Sequence, residues 1–138
     1  HFNTSSLPDT AVITKVTFKI RKQGQAGANP FTTLGKILVD IRTGAFSNNN
    51  ALQLTDFQIA AHKNAALVFQ NSPVNNWYSV KFPSSAFAFL NKTGATQFRL
   101  RFQIDDNNNG TADYLKFYSG NFATAAARPT LIIEYYVP

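Results

Sequence analysis

The sequence predicts an all-β protein, a jelly-roll-like antiparallel β-sandwich, and three features of its 138 residues predict it. Strand-favouring residues are abundant: thirteen Phe and five Tyr accompany Val, Ile and Thr, side chains that fit a pleated, half-buried surface. Apolar residues recur at every second position in several segments, the period that sends neighbouring side chains to opposite sides of a strand. The segments are regularly spaced, and the loops between them are rich in Asn and Gly.

Ser5-Ser6-Leu7-Pro8-Asp9 reads as a turn. The first strand is Val12 to Ile20, with Val12, Val16, Phe18 and Ile20 on one face and Ile13, Lys15, Thr17 and Lys19 on the other. Gln23 to Thr33 reads as a loop bearing Gly, Asn and Pro. Lys36 to Arg42 is the next strand; apolar residues on both faces predict a central position. Asn48-Asn49-Asn50 marks a further loop.

Thr55 to Leu67 predicts the one short helix. Thr55 caps it, Asp56 sits in its first turn, and Phe57, Ile59, Ala60, Ala61 and Ala65 form an apolar face. Trp77 to Phe82 is a strand with Tyr78, Val80 and Phe82 on one side, and Ser85 to Leu90 reads as a single helical turn. In Gln97 to Ile104, Phe98, Leu100, Phe102 and Ile104 alternate with Gln97, Arg99, Arg101 and Gln103, a core face against a basic one. Tyr114 to Tyr118 and Thr130 to Val137 are the last strands. With no internal repeat and no linker, residues 1–138 form a single domain.

Composition narrows the function. The absence of cysteine excludes a thiol nucleophile, a Cys-ligated zinc and any disulfide framework. The absence of methionine predicts an export signal removed or a longer precursor. No apolar stretch reaches the length of a membrane span. A net charge of +6 suits anionic partners. No nucleic-acid-binding signature is present, which leaves acidic polysaccharide or cell-wall polymer ahead of nucleic acid. The only histidines, His1 and His62, have no catalytic motif around them. The carboxylates Asp105, Asp106 and Asp113 share one Asn-rich loop, where solvent prevents the burial that raises a catalytic acid. The expectation is that the chain is not an enzyme.

Three segments carry a family resemblance. Phe2-Asn3-Thr4-Ser5-Ser6-Leu7-Pro8 with Ala11 to Ile20, then Asn76-Trp77-Tyr78-Ser79-Val80, then Phe117-Tyr118-Ser119 with Arg128-Pro129-Thr130-Leu131-Ile132-Ile133-Glu134-Tyr135, together resemble the core pattern of the disaggregatase-related, or DNRLRE, domains. The resemblance implies a jelly-roll-like sandwich in secreted or surface proteins of bacteria and archaea, akin to alginate-binding carbohydrate-binding modules. It transfers no binding residue. In that family further strands precede the Phe2 segment, so the resemblance also implies a sandwich that lacks its opening strands and has them supplied by a precursor segment or a neighbouring subunit.

Two candidate sites follow from the residues. Arg99 and Arg101 on one strand and Lys15 and Lys19 on another form a cationic patch for uronate carboxylates if their strands are close; the competing reading is a solvated sheet face. Trp77, Tyr114 and Tyr118 are candidate platforms for sugar rings, against a core or rim role. Asp105, Asn107, Asn109, Thr111 and Asp113, around Gly110, follow the oxygen-ligand spacing of a calcium loop. Lys116 stands where that loop needs its bidentate Glu, and the alternative is a polar hairpin. No cofactor is required, and Ca²⁺ is the one metal the pattern suits. The expected function is a non-catalytic extracellular module that binds polysaccharide, acidic by preference. The alternative is a structural subunit of a surface layer or fibre, assembled with copies of itself by strand complementation.

Overall fold

The computed structural model describes residues 1–138. Eight strands form two antiparallel sheets. The first contains β1 (Phe2–Asn3), β3 (Ile37–Thr43), β4 (Lys63–Phe69) and β6 (Ala95–Phe102), in the order β1-β6-β3-β4. The second is built around the fifteen-residue β2 (Val12–Ala26). It carries β5 (Trp77–Lys81) on one edge, and β7 (Tyr114–Phe117) and β8 (Thr130–Tyr136) one after the other on the opposite edge.

Alternation explains how the layers meet. Val16, Phe18 and Ile20 of β2 and Tyr78 of β5 point inward and join Ile37, Val39, Ile41, Leu67 and Phe69 of the other sheet in one core. Each buried aliphatic or aromatic side chain contributes roughly 1.5–3 kcal/mol of transfer free energy. Phe18 stacks on Phe98 across the layers at a centroid distance of 5.0 Å. The all-β sandwich is therefore the fold, with helical structure confined to α1 (Pro30–Thr33) and short 3₁₀ turns. The turn at Ser84–Phe89 falls where a single helical turn is expected.

Three expectations fail, each for a local reason. Gln23 to Thr33 is not all loop: β2 runs on to Ala26 because β7 pairs with it, and Pro30–Thr33 forms α1. Thr55 to Leu67 is not a helix. Leu54–Phe57 makes one 3₁₀ turn, closed by the Asp56 carboxylate accepting from Gln53 N–H at 2.9 Å, and the chain then extends into β4. Ladder pairing with β3 places Leu67 opposite Val39 and Phe69 opposite Ile37. This buries Leu67 and Phe69, whereas the supposed helical face leaves Phe57 exposed. Tertiary pairing thus overrides a weak local helix signal. In β2, a bulge at Thr14 shifts the pairing with β8 between Ile13 and Lys15. An extra residue reverses the facing of what precedes it, so Val12 is exposed and Ile13 packs on the core.

Candidate functional site

The sequence candidates separate onto two opposite faces. Arg99 and Arg101 lie on the outer face of the first sheet, and Lys15 and Lys19 on the outer face of the second, so the four do not form a common patch.

On the first sheet the two arginines converge on Asp40, which is fully buried. Arg99 Nε and Nη2 donate to Asp40 Oδ2 at 3.0 and 2.8 Å, and Arg101 Nε donates to the same oxygen at 3.1 Å. Ala65 N–H supplies Oδ1 at 2.8 Å. That amide is free because β4 bulges there: the β3–β4 register shifts between Val39 and Ile41, and Ala65 has φ 46°. Burial pushes the Asp40 carboxyl up; the hydrogen bonds from Arg101, Ala65 and Arg99 and the charge of Arg101 outweigh it and hold the group below the usual carboxylate range. Arg99 also donates through Nη1 to the carbonyls of Asp56 and Ile59, at 2.9 and 2.8 Å, and lies 4.8 Å from the Phe46 ring centroid. Its guanidinium is thus committed to pinning the 46–59 loop onto the sheet. Arg101 keeps about 41% of its side chain exposed.

On the second sheet, Val16, Phe18 and Ile20 face inward, so Lys15, Thr17, Lys19 and Arg21 face outward. Pairing sets Thr17 opposite Lys81 and Arg21 opposite Trp77, which adds both partners to this face. Lys19 Nζ lies 5.1 Å from the Trp77 ring centroid. Arg21 bridges two rings, 6.0 Å from Trp77 and 5.6 Å from Tyr118, and Tyr118 packs on Phe122 at 4.6 Å. These cation–π contacts hold flat aromatic surface among positive charges. Glu134 is the acidic residue here, and Lys15 pairs with it. The face therefore carries the cations Lys15, Lys19, Arg21 and Lys81 against that one carboxylate. Arg21 and Lys81 were not singled out from sequence, although extending the β2 alternation one step beyond Lys19 reaches Arg21. Tyr114 is remote from this face; it sits at the start of β7, opposite Ala26, and borders a cavity with Leu34 and Arg101.

The Asp105–Asp113 loop is held by hydrogen bonds within itself and to the segment that follows β2. Asn109 Oδ1 accepts from Thr111 N–H at 2.9 Å, and Asn107 Nδ2 donates to Asp113 Oδ2 at 3.2 Å. Asp113 Oδ1 accepts from Ala28 N–H at 2.8 Å. Beside it Gly27 has φ 70°, and a Cβ there would lie 2.3 Å from the Ala112 carbonyl, so the close approach requires glycine. No three acidic or histidine side chains converge on one point here or elsewhere in the chain. His62 accepts a hydrogen bond from Thr43 N–H through Nδ1 at 3.1 Å, a structural tie between β3 and the start of β4.

One side of the sandwich is open. Gln103 N–H donates to Lys36 C=O, and Gly44 N–H donates to Ala95 C=O. Odd-numbered β6 residues therefore turn their backbone groups to β3. Those of Phe98, Leu100 and Phe102 turn the other way, where β1 reaches only Ala95 and Thr96. Across the gap, β8 pairs with β2 on one edge alone. Between the edges lie three adjoining cavities of about 270, 250 and 400 Å³, the last two mainly apolar. Phe2 is shared by the first two, and Leu100 and Phe117 by the last two.

Fold and surfaces together define an all-β sandwich with a cationic aromatic sheet face and an open apolar side. Comparison with family models, curated proteins and solved structures gives no match for this chain.

Proposed function

We propose that the chain is a non-catalytic extracellular module that holds an acidic polysaccharide on the outer face of β2 and β5. The observation that carries this reading is the Lys19–Trp77–Arg21–Tyr118 row, in which cations alternate with aromatic rings across a sheet face. Carboxylates of a uronate chain suit the cations, and the apolar faces of pyranose rings suit flat aromatics. Lys81 and Lys15 extend the positive charge along the same face. The resemblance of its core positions to the disaggregatase-related domains is what favours an extracellular or cell-surface setting in a bacterium or archaeon. The reading requires no cofactor.

Titration calorimetry with polyuronate, a neutral glucan and single-stranded DNA tests it. Polyuronate binding is expected, weakening as salt rises through the range where exposed charges are screened. The double substitution Lys19→Ala, Arg21→Ala should abolish it, while Arg101→Ala should not. Binding of neutral glucan with equal affinity, insensitivity to the double substitution, or preference for DNA would overturn the reading.

A second reading, assembly by strand complementation, is favoured by the open side between β6 and β8, where unpaired backbone groups flank an apolar groove.

A further inference from the structure

We propose that this groove receives a partner β-strand from outside residues 1–138, running antiparallel to β6 in line with β1, apolar opposite Phe98, Leu100 and Phe102 and acidic opposite Arg101. This inference rests on the second reading above and gives it a register, a direction and a side-chain pattern.

The backbone dictates an extended occupant. The N–H and C=O groups of Phe98, Leu100 and Phe102 project from β6 at alternate positions, the spacing that another strand satisfies. β1 already shows the mode of binding on the same edge. It runs antiparallel to β6, pairs Phe2 with Thr96, and sends the Phe2 ring into the core, 5.9 Å from Phe18 and 5.8 Å from Phe98. A strand continuing that ladder meets Phe102 first, then Leu100, then Phe98, and ends beside His1.

Side-chain chemistry follows from the two faces of β6. Phe98, Leu100 and Phe102 face the core yet remain only partly buried. A strand residue opposite each is directed into the cavities they line, so it must be apolar. Arg101 faces outward and shares the single carboxylate of Asp40 with Arg99, which leaves an excess positive charge at an exposed position. An acidic residue directly across the ladder complements it. The same charge argument disfavours a second copy as donor. This chain carries a net +6, and its strands of alternating apolar pattern are already paired within its own sheets.

The test uses the 138-residue protein and the peptide acetyl-Thr-Val-Glu-Val-Thr-Val-amide. Amide hydrogen exchange at Phe98, Leu100 and Phe102 is read by NMR. In the dilute protein these amides should exchange fast, while those of Arg99 and Arg101 are protected by β3. Peptide at about a hundred times its Kd should slow the three amides by about a hundredfold, and a scrambled peptide with its valines adjacent should not. Arg101→Glu should transfer preference to the peptide with Lys in place of Glu; protection of the β3–β4 amides in that variant verifies its fold. Alternating peptides that bind regardless of the charge opposite Arg101 would overturn the register while keeping strand addition. Failure of every alternating peptide would overturn both. Protection of the three amides without peptide, or protection that grows with protein concentration, would overturn the proposal by assigning the groove to the chain itself or to a second copy.

Discussion

Arg99 grips Asp40 through two nitrogens on one carboxylate oxygen, Nε at 3.0 Å and Nη2 at 2.8 Å, across adjacent strands β6 and β3. The pair is buried on the carboxylate side and nearly so on the guanidinium side, with relative side-chain exposures of 0% and 12%. A buried ion pair gains little over an apolar one, but losing one partner strands the other. Asp40→Asn should therefore destabilise the fold by about 3–5 kcal/mol, measured by urea unfolding. Arg101→Ala, whose side chain is far more exposed, should cost much less. Equal costs would show that the two arginines share the role.

The same carboxylate sets an acid limit. Its pKa is lower in the folded protein than in the unfolded chain, where a carboxyl titrates near about 3.9. The unfolded state therefore binds the proton first as pH falls, and stability drops. The contribution is fully present above the unfolded value and is lost as pH falls toward and through the folded one. Thermal melts should hold steady from pH 7 to about 5 and fall steeply below about 4, and Asp40→Asn should flatten that fall.

Tyr78 is a core residue with a hydroxyl that finds no hydrogen-bond partner. Its ring stacks on Phe31 at 5.6 Å and meets Phe69 and Phe117 edge-on, and burial pushes its pKa up. Tyr78→Phe keeps the ring and removes the orphan, so it should stabilise the protein by roughly 1 kcal/mol. A loss of similar size would reveal an ordered partner for the hydroxyl.

Ala65 stands at φ 46°, in the left-handed region, to turn its amide toward Asp40. Left-handed backbone costs a non-glycine residue about 1–2 kcal/mol, and glycine's extra chain entropy offsets roughly 0.5–1 of that. Ala65→Gly should raise stability by up to about 1 kcal/mol. Ala65→Val, β-branched at the same angle, should lower it.

The strands were legible where burial alternates on one face. Phe98, Leu100 and Phe102 of β6, and Val16, Phe18 and Ile20 of β2, are core residues at a period of two, and the structure places them so. β4 was misread because its N-terminal half, Lys63-Asn64-Ala65, carries no apolar alternation; only Leu67 and Phe69 signal a strand. The aromatic part of the candidate face was legible in Trp77 and Tyr118, and its charge in Lys15 and Lys19. The assignment of Arg99 to glycan failed to anticipate Asp40, because a carboxylate 59 positions away gives no local sign of its partner.

By itself, then, the sequence determined the sheet content and the inward faces of most strands, since a period-two pattern acts on neighbours along the chain and needs no knowledge of what lies opposite. Only the tertiary structure decided which strands adjoin. That choice sent Arg99 to a buried carboxylate and brought Arg21 between Trp77 and Tyr118. It also left the outer edge of β6 beyond Thr96 without a strand. Such relations depend on long-range pairing, where ladder hydrogen bonds and buried area are gained together by residues far apart in sequence.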